Sequence, residues 1–361
     1  MSSGCRSAAS PRRAPPRSRT ATCSAPASSI CGRSFATCSP PRRLPSWSSR
    51  CSTGTAAAAP SPTSSRRRSP PGTPCGSTST ARKDRPMPFA DIGTGRLYYE
   101  THGDGEPLVL VTGLGGLAAF WAPHVDAFAR RHRVIVYDHR GTGQSTPTPG
   151  PYTVDGMADD LVALMDVLGI ASAHLCGHST GGAIGQILGA RHPARVRSLL
   201  LAATWGRRDP YFRRCFDARL PILTGLGAET YVRVTSLLLY PPDWISRNYG
   251  RMLEMEAAAV AGLTNPEILM ARIAAICDFD PSAEVGSIRA PTRIVTARDD
   301  MTTPPFFAEE LHAAIRGSTL TVVDWGGHMF PLTAPAVFGG LVHDWLAAQA
   351  PATAAPAQPR T

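Results

Sequence analysis

Lysine is almost missing from this chain: Lys83 stands alone against 36 arginines. Such a bias points to GC-rich coding. Acids are missing from the first 86 residues, which hold 15 Lys and Arg against one carboxylate, Asp84, a net of +14. Aliphatic side chains are missing there too, with Leu44 the only leucine. A Ser/Pro/Arg/Ala segment of that kind cannot bury enough apolar area to offset chain entropy, so 1–86 is expected to be disordered. Cysteine is scarce in the remainder. Cys5, Cys23, Cys31, Cys38, Cys51 and Cys75 all lie in the first segment, leaving Cys176, Cys215 and Cys277 for the body. Three scattered cysteines form neither a disulfide framework nor a zinc motif, and a reducing, cytoplasmic location is expected. No apolar run is long enough for a membrane span. No hydrophobic h-region accompanies the basic start, which argues against a secretory signal.

The basic balance of the whole chain, +10, therefore belongs to its start. The body carries 22 basic and 26 acidic residues and has no electrostatic reason to prefer nucleic acid. Three readings of 1–86 compete: a transit peptide, a basic arm for nucleic acid or membrane, and an over-extended gene model translated from an upstream start. The last is favoured, because Met87 opens a fresh pattern, MPFADIGTGRLYYETHG.

From Met87 onward, short apolar runs alternate with helical patterns. Strands are expected at Arg96–Thr101, Leu108–Val111, Val134–Tyr137, Ala173–Cys176, Val196–Ala202, Arg293–Thr296 and Thr319–Val323. Runs such as LVLV and VIVY are apolar throughout, as suits strands covered on both faces. Val154, Met157, Leu161, Leu164, Met165 and Leu168 recur at helical spacing, with Gly169 as a stop. Further helices are expected at Gly181–Arg191, Phe306–Ile315 and Val337–Ala347. This alternation predicts an α/β fold with a doubly wound, mostly parallel sheet. Residues 205–288 break the alternation with helix-like runs only, and LLLYPPDWI carries a proline pair that no single element can span. That stretch is expected to be an inserted helical cap over the carboxyl edge of the sheet. The core then comprises 87–204 and 289–348, and 349–361 is an Ala/Pro-rich flexible tail.

Gly177-His178-Ser179-Thr180-Gly181 fits G-x-S-x-G, preceded by a strand and followed by a helix. A tight strand-to-helix turn would lift the Ser179 hydroxyl clear of the sheet and aim the Thr180 amide at the same space. A Ser/Gly helix start with no chemistry would share the same five letters. A serine hydroxyl is a poor nucleophile until a base takes its proton. His328, on the glycine-rich loop after the last strand, would stand at the same sheet edge. Asp299 or Asp300, at the tip of the preceding strand, could orient that imidazole. The order Ser, Asp, His is that of a known hydrolase arrangement. The loop Thr112-Gly113-Leu114-Gly115-Gly116 offers the Leu114 amide as a second oxyanion donor beside Thr180. It lacks the spacing and the lysine of a phosphate loop. Asp138 and Arg140 in DHRGTGQS are expected to tie neighbouring loops together, and His139 and His178 to be non-catalytic.

Together TGLGG, DHRGTGQS, GHSTGG, ARDDMTTP and GGHMFPLTAP resemble the α/β-hydrolase fold family over residues 88–348. The resemblance implies Asp300, the second of the pair, as the acid. A serine at the elbow separates the chain from the dehalogenase and epoxide-hydrolase branches, which use aspartate there. The 3-oxoadipate enol-lactonases are similar in length and core motifs. The aminoacrylate hydrolases of pyrimidine utilisation are similar also in the cap, at RRCFDAR, at LLLYPPDWI and at GLGGLAAFW. The elbow of that branch is less uniform than GHSTGG, which leaves a plain ester or lactone hydrolase on a similar cap as an alternative.

The resulting expectation is a cofactor-free, metal-free serine hydrolase acting on a small carbonyl substrate: ester, lactone or amide. Ser179, Asp300 and His328 would be catalytic, Leu114 and Thr180 would supply oxyanion amides, and Trp205, Tyr240 and Trp244 are candidates for the pocket wall. The expected partner is a small molecule, without nucleic acid or membrane, and a homodimer is compatible with the chain. The competing class is a non-catalytic binding protein on the same fold.

Overall fold

A computed structural model of the chain describes residues 88–349. The expectations for 1–86, and for the tail beyond Gln349, lie outside the described residues.

Eight strands form one sheet: β1 (Phe89–Asp91), β2 (Arg96–His102), β3 (Glu106–Val111), β4 (His132–Tyr137), β5 (Ala173–His178), β6 (Val196–Ala202), β7 (Thr292–Ala297) and β8 (Thr319–Val323). Their order is β1-β2-β4-β3-β5-β6-β7-β8. The β1–β2 and β2–β4 pairings at one edge are antiparallel and every other pairing is parallel. The strands alternate cleanly between two buried layers. Val109, Val111, Ile135, Leu175, Leu199 and Ile294 face one core. Leu108, Leu110, Val134, Cys176, Leu200 and Val295 face the other. Period-two geometry sends neighbours to opposite faces, so a strand covered on both sides has to be apolar along its whole length.

The covering helices are α1 (Ala122–Ala129), α2 (Val154–Val167) and α3 (Thr180–Arg191), then α4 (Pro210–Asp217), α5 (Leu220–Leu239), α6 (Pro242–Arg247), α7 (Tyr249–Gly262) and α8 (Pro266–Asp278), and finally α9 (Pro305–Ala314), α10 (Phe330–Thr333) and α11 (Pro335–Ala347). α2, α3 and α9 pack on the first face through Leu161, Ile184 and Phe307. α1 and α11 pack on the second through Phe128 and Val342. Gly169, at φ 64°, stops α2 as its position predicts.

The sequence reading missed β1 and α1. β1 is three residues long and has no periodicity of its own. It exists because the turn at Gly93 and Gly95, both at positive φ, folds it back on β2. Between β6 and β7 the described residues form helices and no strand, with α4 to α8 as the cap. The proline pair ends α5 and opens α6, as LLLYPPDWI requires.

Candidate active site

β5 leads into α3 through Ser179, which holds φ 55° and ψ −116°. Positive φ in a residue with a side chain is strained and persists only where surroundings hold it. Here the Ser179 amide donates to the Ala202 carbonyl at 2.8 Å, and its own carbonyl accepts from the Thr204 hydroxyl at 2.8 Å. The flanking glycines are there for space. A Cβ on Gly177 would lie 2.3 Å from the Gly181 carbonyl oxygen, and one on Gly181 would lie 2.1 Å from that of Val111. The turn leaves the Ser179 side chain nearly buried, 8% exposed, at the carboxyl edge of the sheet.

Two later strands deliver its partners to the same edge. His328 follows β8, and its Nε2 lies 3.0 Å from Ser179 Oγ. Asp300 follows β7, and its Oδ2 lies 2.9 Å from His328 Nδ1. A carboxylate oxygen accepts, so Nδ1 carries the imidazole proton and Nε2 is left to accept from the serine hydroxyl. Asp300 is itself fixed: Oδ1 accepts from the amides of Thr302 and Thr303, both at 2.8 Å, and Oδ2 accepts from the Thr303 hydroxyl at 2.8 Å. Asp299 has a different task. Its carboxylate accepts from the amides of Gly327 at 2.9 Å and Gly326 at 3.3 Å, holding the loop that carries His328.

His178, inside the elbow, also acts on that loop. Its Nε2–H donates to the His328 carbonyl at 2.8 Å, and its ring stacks on Phe120 at 4.8 Å. Burial, reinforced by the neighbouring His328, pushes its pKa down to about 3. A neutral ring with its proton committed to a carbonyl positions its neighbour and does not exchange protons.

Thr180 opens α3, so its amide is one of the first-turn donors with no acceptor inside the helix, at the positive end of the helix dipole. Leu114 lies in the turn Gly113–Gly116, closed by Gly116 N–H to the Gly113 carbonyl at 3.0 Å. A Cβ on Gly113 would meet Ser179 Cβ at 3.1 Å, which puts this turn against the serine. DHRGTGQS braces it. Asp138 accepts from the amides of Ala118 and Gln144, both at 2.8 Å. Arg140 pairs with Asp160 at 2.8 Å, and so reaches α2 where a second loop was expected. His139 is buried, its pKa held well below the usual histidine range by burial and by Arg272.

The three aromatic candidates for the pocket wall do not share one place. Trp205 is enclosed in the core, stacked on Phe212 at 4.2 Å and edge-on to Phe279 at 6.0 Å. That corrects its expected role: a ring packed on all sides has no face left for a ligand. Tyr240 and Trp244 stack on each other at 5.1 Å, buried in a cap cluster with Met252 that abuts Trp325 and Met329 on either side of His328. The same segment grips the histidine loop directly. Met329 N–H donates to the Leu239 carbonyl at 3.1 Å, and Trp325 Nε1–H to Asp243 at 3.0 Å.

Sequence reasoning missed Thr303, the separate task of Asp299, and Arg272 of α8. The first two sit in ARDDMTTP, where the hydroxyl after the aspartate pair was a usable signal. Among the described residues no group of three or more His, Cys, Asp or Glu side chains is placed to hold a metal ion. A cleft of about 360 Å³ is lined by Tyr152, Asp155, Arg191, Asp278 and Glu284, and none of the residues around Ser179 borders it. There Arg191 is committed to Asp155 and Glu284.

Comparison with known proteins agrees with this fold. A family profile described as the alpha/beta hydrolase fold matches residues 106–225. A protein of Azorhizobium caulinodans named "Putative carbamate hydrolase RutD" is 41% identical over 256 residues, 71% of this chain and 97% of that protein. One of the same name from a Caulobacter species is 40% identical, covering 70% and 97%. Among solved structures, the enol-lactonase from Burkholderia xenovorans LB400 matches with a TM-score of 0.67 at 28% identity, over 72% of this chain and 100% of that one.

Proposed function

Because the chain belongs to the α/β-hydrolase fold family and is a hydrolase of it, we propose that Ser179 is its nucleophile, His328 its base and Asp300 the acid that orients the base. The observation that carries this is the continuous path from Ser179 Oγ through both His328 nitrogens to Asp300, at 3.0 and 2.9 Å. Ser179 Oγ attacks the substrate carbonyl carbon while its proton passes to His328 Nε2. Asp300 stabilises the imidazolium through Nδ1–H. The tetrahedral oxyanion accepts from the amides of Leu114 and Thr180, and the positive end of α3 adds to its stabilisation. His328 then gives the proton to the leaving group as the C–O or C–N bond breaks. Water, deprotonated by the same nitrogen, releases the acyl group.

The substrate favoured is a small compound with a hydrolysable C–N bond, a carbamate or an aminoacrylate. What supports this is the high coverage of the two relatives named as carbamate hydrolases, together with the cap motifs RRCFDAR and LLLYPPDWI. Enol-lactones are the second reading, favoured by the Burkholderia structure. A carbamate and an enol-lactone both present an acyl carbon and pass through the same oxyanion, so the site's chemistry serves either. The C–N bond of an aminoacrylate is vinylic and would need water, deprotonated by His328, at the carbon that bears nitrogen, with the amine leaving protonated and no acyl-enzyme.

The test pairs a substrate panel with a fluorophosphonate probe. Carbamate, aminoacrylate, enol-lactone and small esters are compared on the parent protein and on Ser179→Ala. The substitution is expected to lower kcat by about 10⁴ or more and to abolish labelling. Full turnover in Ser179→Ala defeats the covalent mechanism. A parent protein that neither labels nor turns over any member of the panel favours a binding protein or a closed cap.

A further inference from the structure

Arg272 of α8 is the most deeply buried cation of the cap, 1% exposed. Burying a charge costs free energy unless partners compensate it. Among the described residues no carboxylate pairs with it. The nearby acid Asp160 is taken by Arg140. Burial pushes the Arg272 pKa down to about 10, which still leaves it protonated at neutral pH. Its donors go instead to acceptors on the two loops beside Ser179. Nη2 donates to the Leu114 carbonyl at 3.0 Å and to His139 Nδ1 at 3.0 Å, and Nη1 donates to the Arg140 carbonyl at 3.3 Å. A Cβ on Gly116 would meet the same Nη2 at 3.1 Å.

Those contacts fall on the turn Gly113–Gly116. Leu114 sits between two glycines, and glycine backbones turn over at little steric cost. The Gly116-to-Gly113 hydrogen bond closes the turn, and because the Gly113 carbonyl and the Leu114 N–H share one planar peptide it sets that amide's direction within the turn. It does not set where the turn as a whole stands against Ser179. Arg272 holds the next peptide through the Leu114 carbonyl, and through His139 and the Arg140 carbonyl it holds the loop the turn rests on.

We propose that Arg272 is a positioning residue for hydrolysis, reaching from the cap to hold the turn that carries the Leu114 amide in its place beside Ser179. The cap would thereby complete the catalytic site as well as cover it. This rests on the reading of Leu114 as an oxyanion donor. A displaced donor harms the transition state and leaves ground-state binding nearly untouched, so the effect belongs in kcat.

The experiment uses the full chain and p-nitrophenyl acetate. Arg272→Met is expected to lower kcat about 100-fold with KM within about twofold. Arg272→Lys, which keeps one donor and is the milder change, is expected to recover about tenfold of that loss. Ile276→Ala, a buried residue of the same helix, controls for cap stability: its Tm falls and its kcat holds. If Arg272→Met does not fold, Arg272→Lys decides alone, by a roughly tenfold loss of kcat at constant KM. An unchanged kcat in a folded Arg272 variant, or a raised KM at constant kcat, overturns the proposal. Turnover that survives Ser179→Ala overturns the underlying mechanism instead. Turnover lost in Ser179→Ala but intact in the Arg272 variants sinks only the positioning role.

Discussion

Two adjacent aspartates, Asp299 and Asp300, show how little separation a site needs to divide its labour. Asp300 faces the imidazole and Asp299 faces the backbone of the loop that carries it. Asp300→Asn replaces the acceptor beside Nδ1 with a group that can donate, which favours the wrong imidazole tautomer. We expect kcat to fall by on the order of 10³ to 10⁴. Asp299→Asn leaves the tautomer alone and loosens only Gly326 and Gly327, with an expected loss of roughly tenfold. Steady-state rates of the two variants side by side test the division; equal losses would contradict it. The sequence showed both acids at a strand tip, but not which carboxylate turns toward the histidine. That depends on side-chain direction in a non-repeating loop, which no periodicity encodes.

At the scale of elements, the cap does more than shelter the site. Its α5–α6 junction grips the loop after β8 through Leu239, Asp243 and the Tyr240–Trp244 stack, while α8 reaches the turn after β3. The histidine loop and the Leu114 turn are therefore both braced from the cap. Trp244→Ala removes most of a small buried cluster, and we expect a stability loss of roughly 3 kcal/mol. The His328 loop loses support in the same variant, so its kcat should drop even where it is fully folded. Urea denaturation followed by rates at saturating substrate would separate the two effects. A stable variant with unimpaired kcat would mean that the histidine loop does not depend on the cap. These contacts were hidden in the sequence because the cap aromatics and Arg272 sit on helices whose outward and inward faces are set by distant neighbours.

Across the whole molecule, buried histidines set the acid side of stability. His124 and His132 have pKa values lowered by burial, and His174 is lowered by burial against the opposing pull of Glu106. His139 and His178 are depressed further. An unfolded histidine titrates near 6.5. Below that pH the unfolded chain binds protons that the folded chain refuses, so stability falls as pH drops. The urea midpoint is expected to be lower at pH 5.5 than at pH 7.5; a midpoint that rises on acidification would show these rings charged in the fold. The sheet also explains how five separated motifs converge. Parallel strands β3, β4, β5, β7 and β8 all point their carboxyl ends the same way, so every loop that follows one of them meets at one edge.

The sequence by itself determined the strands whose apolar runs leave no polar face, the glycine-flanked serine between a strand and a helix, and the order of Ser179, an aspartate pair and His328 along the chain. These are local signals, carried by spacing and by residue size. The tertiary structure alone decided that Trp205 is core, that Asp299 serves the loop, that His178 is pinned neutral, and that an arginine 158 positions from Leu114 in the chain holds its carbonyl. Each of those depends on which atoms are brought together across the fold, and burial, charge and hydrogen bonding act through distance in space, which a sequence does not contain.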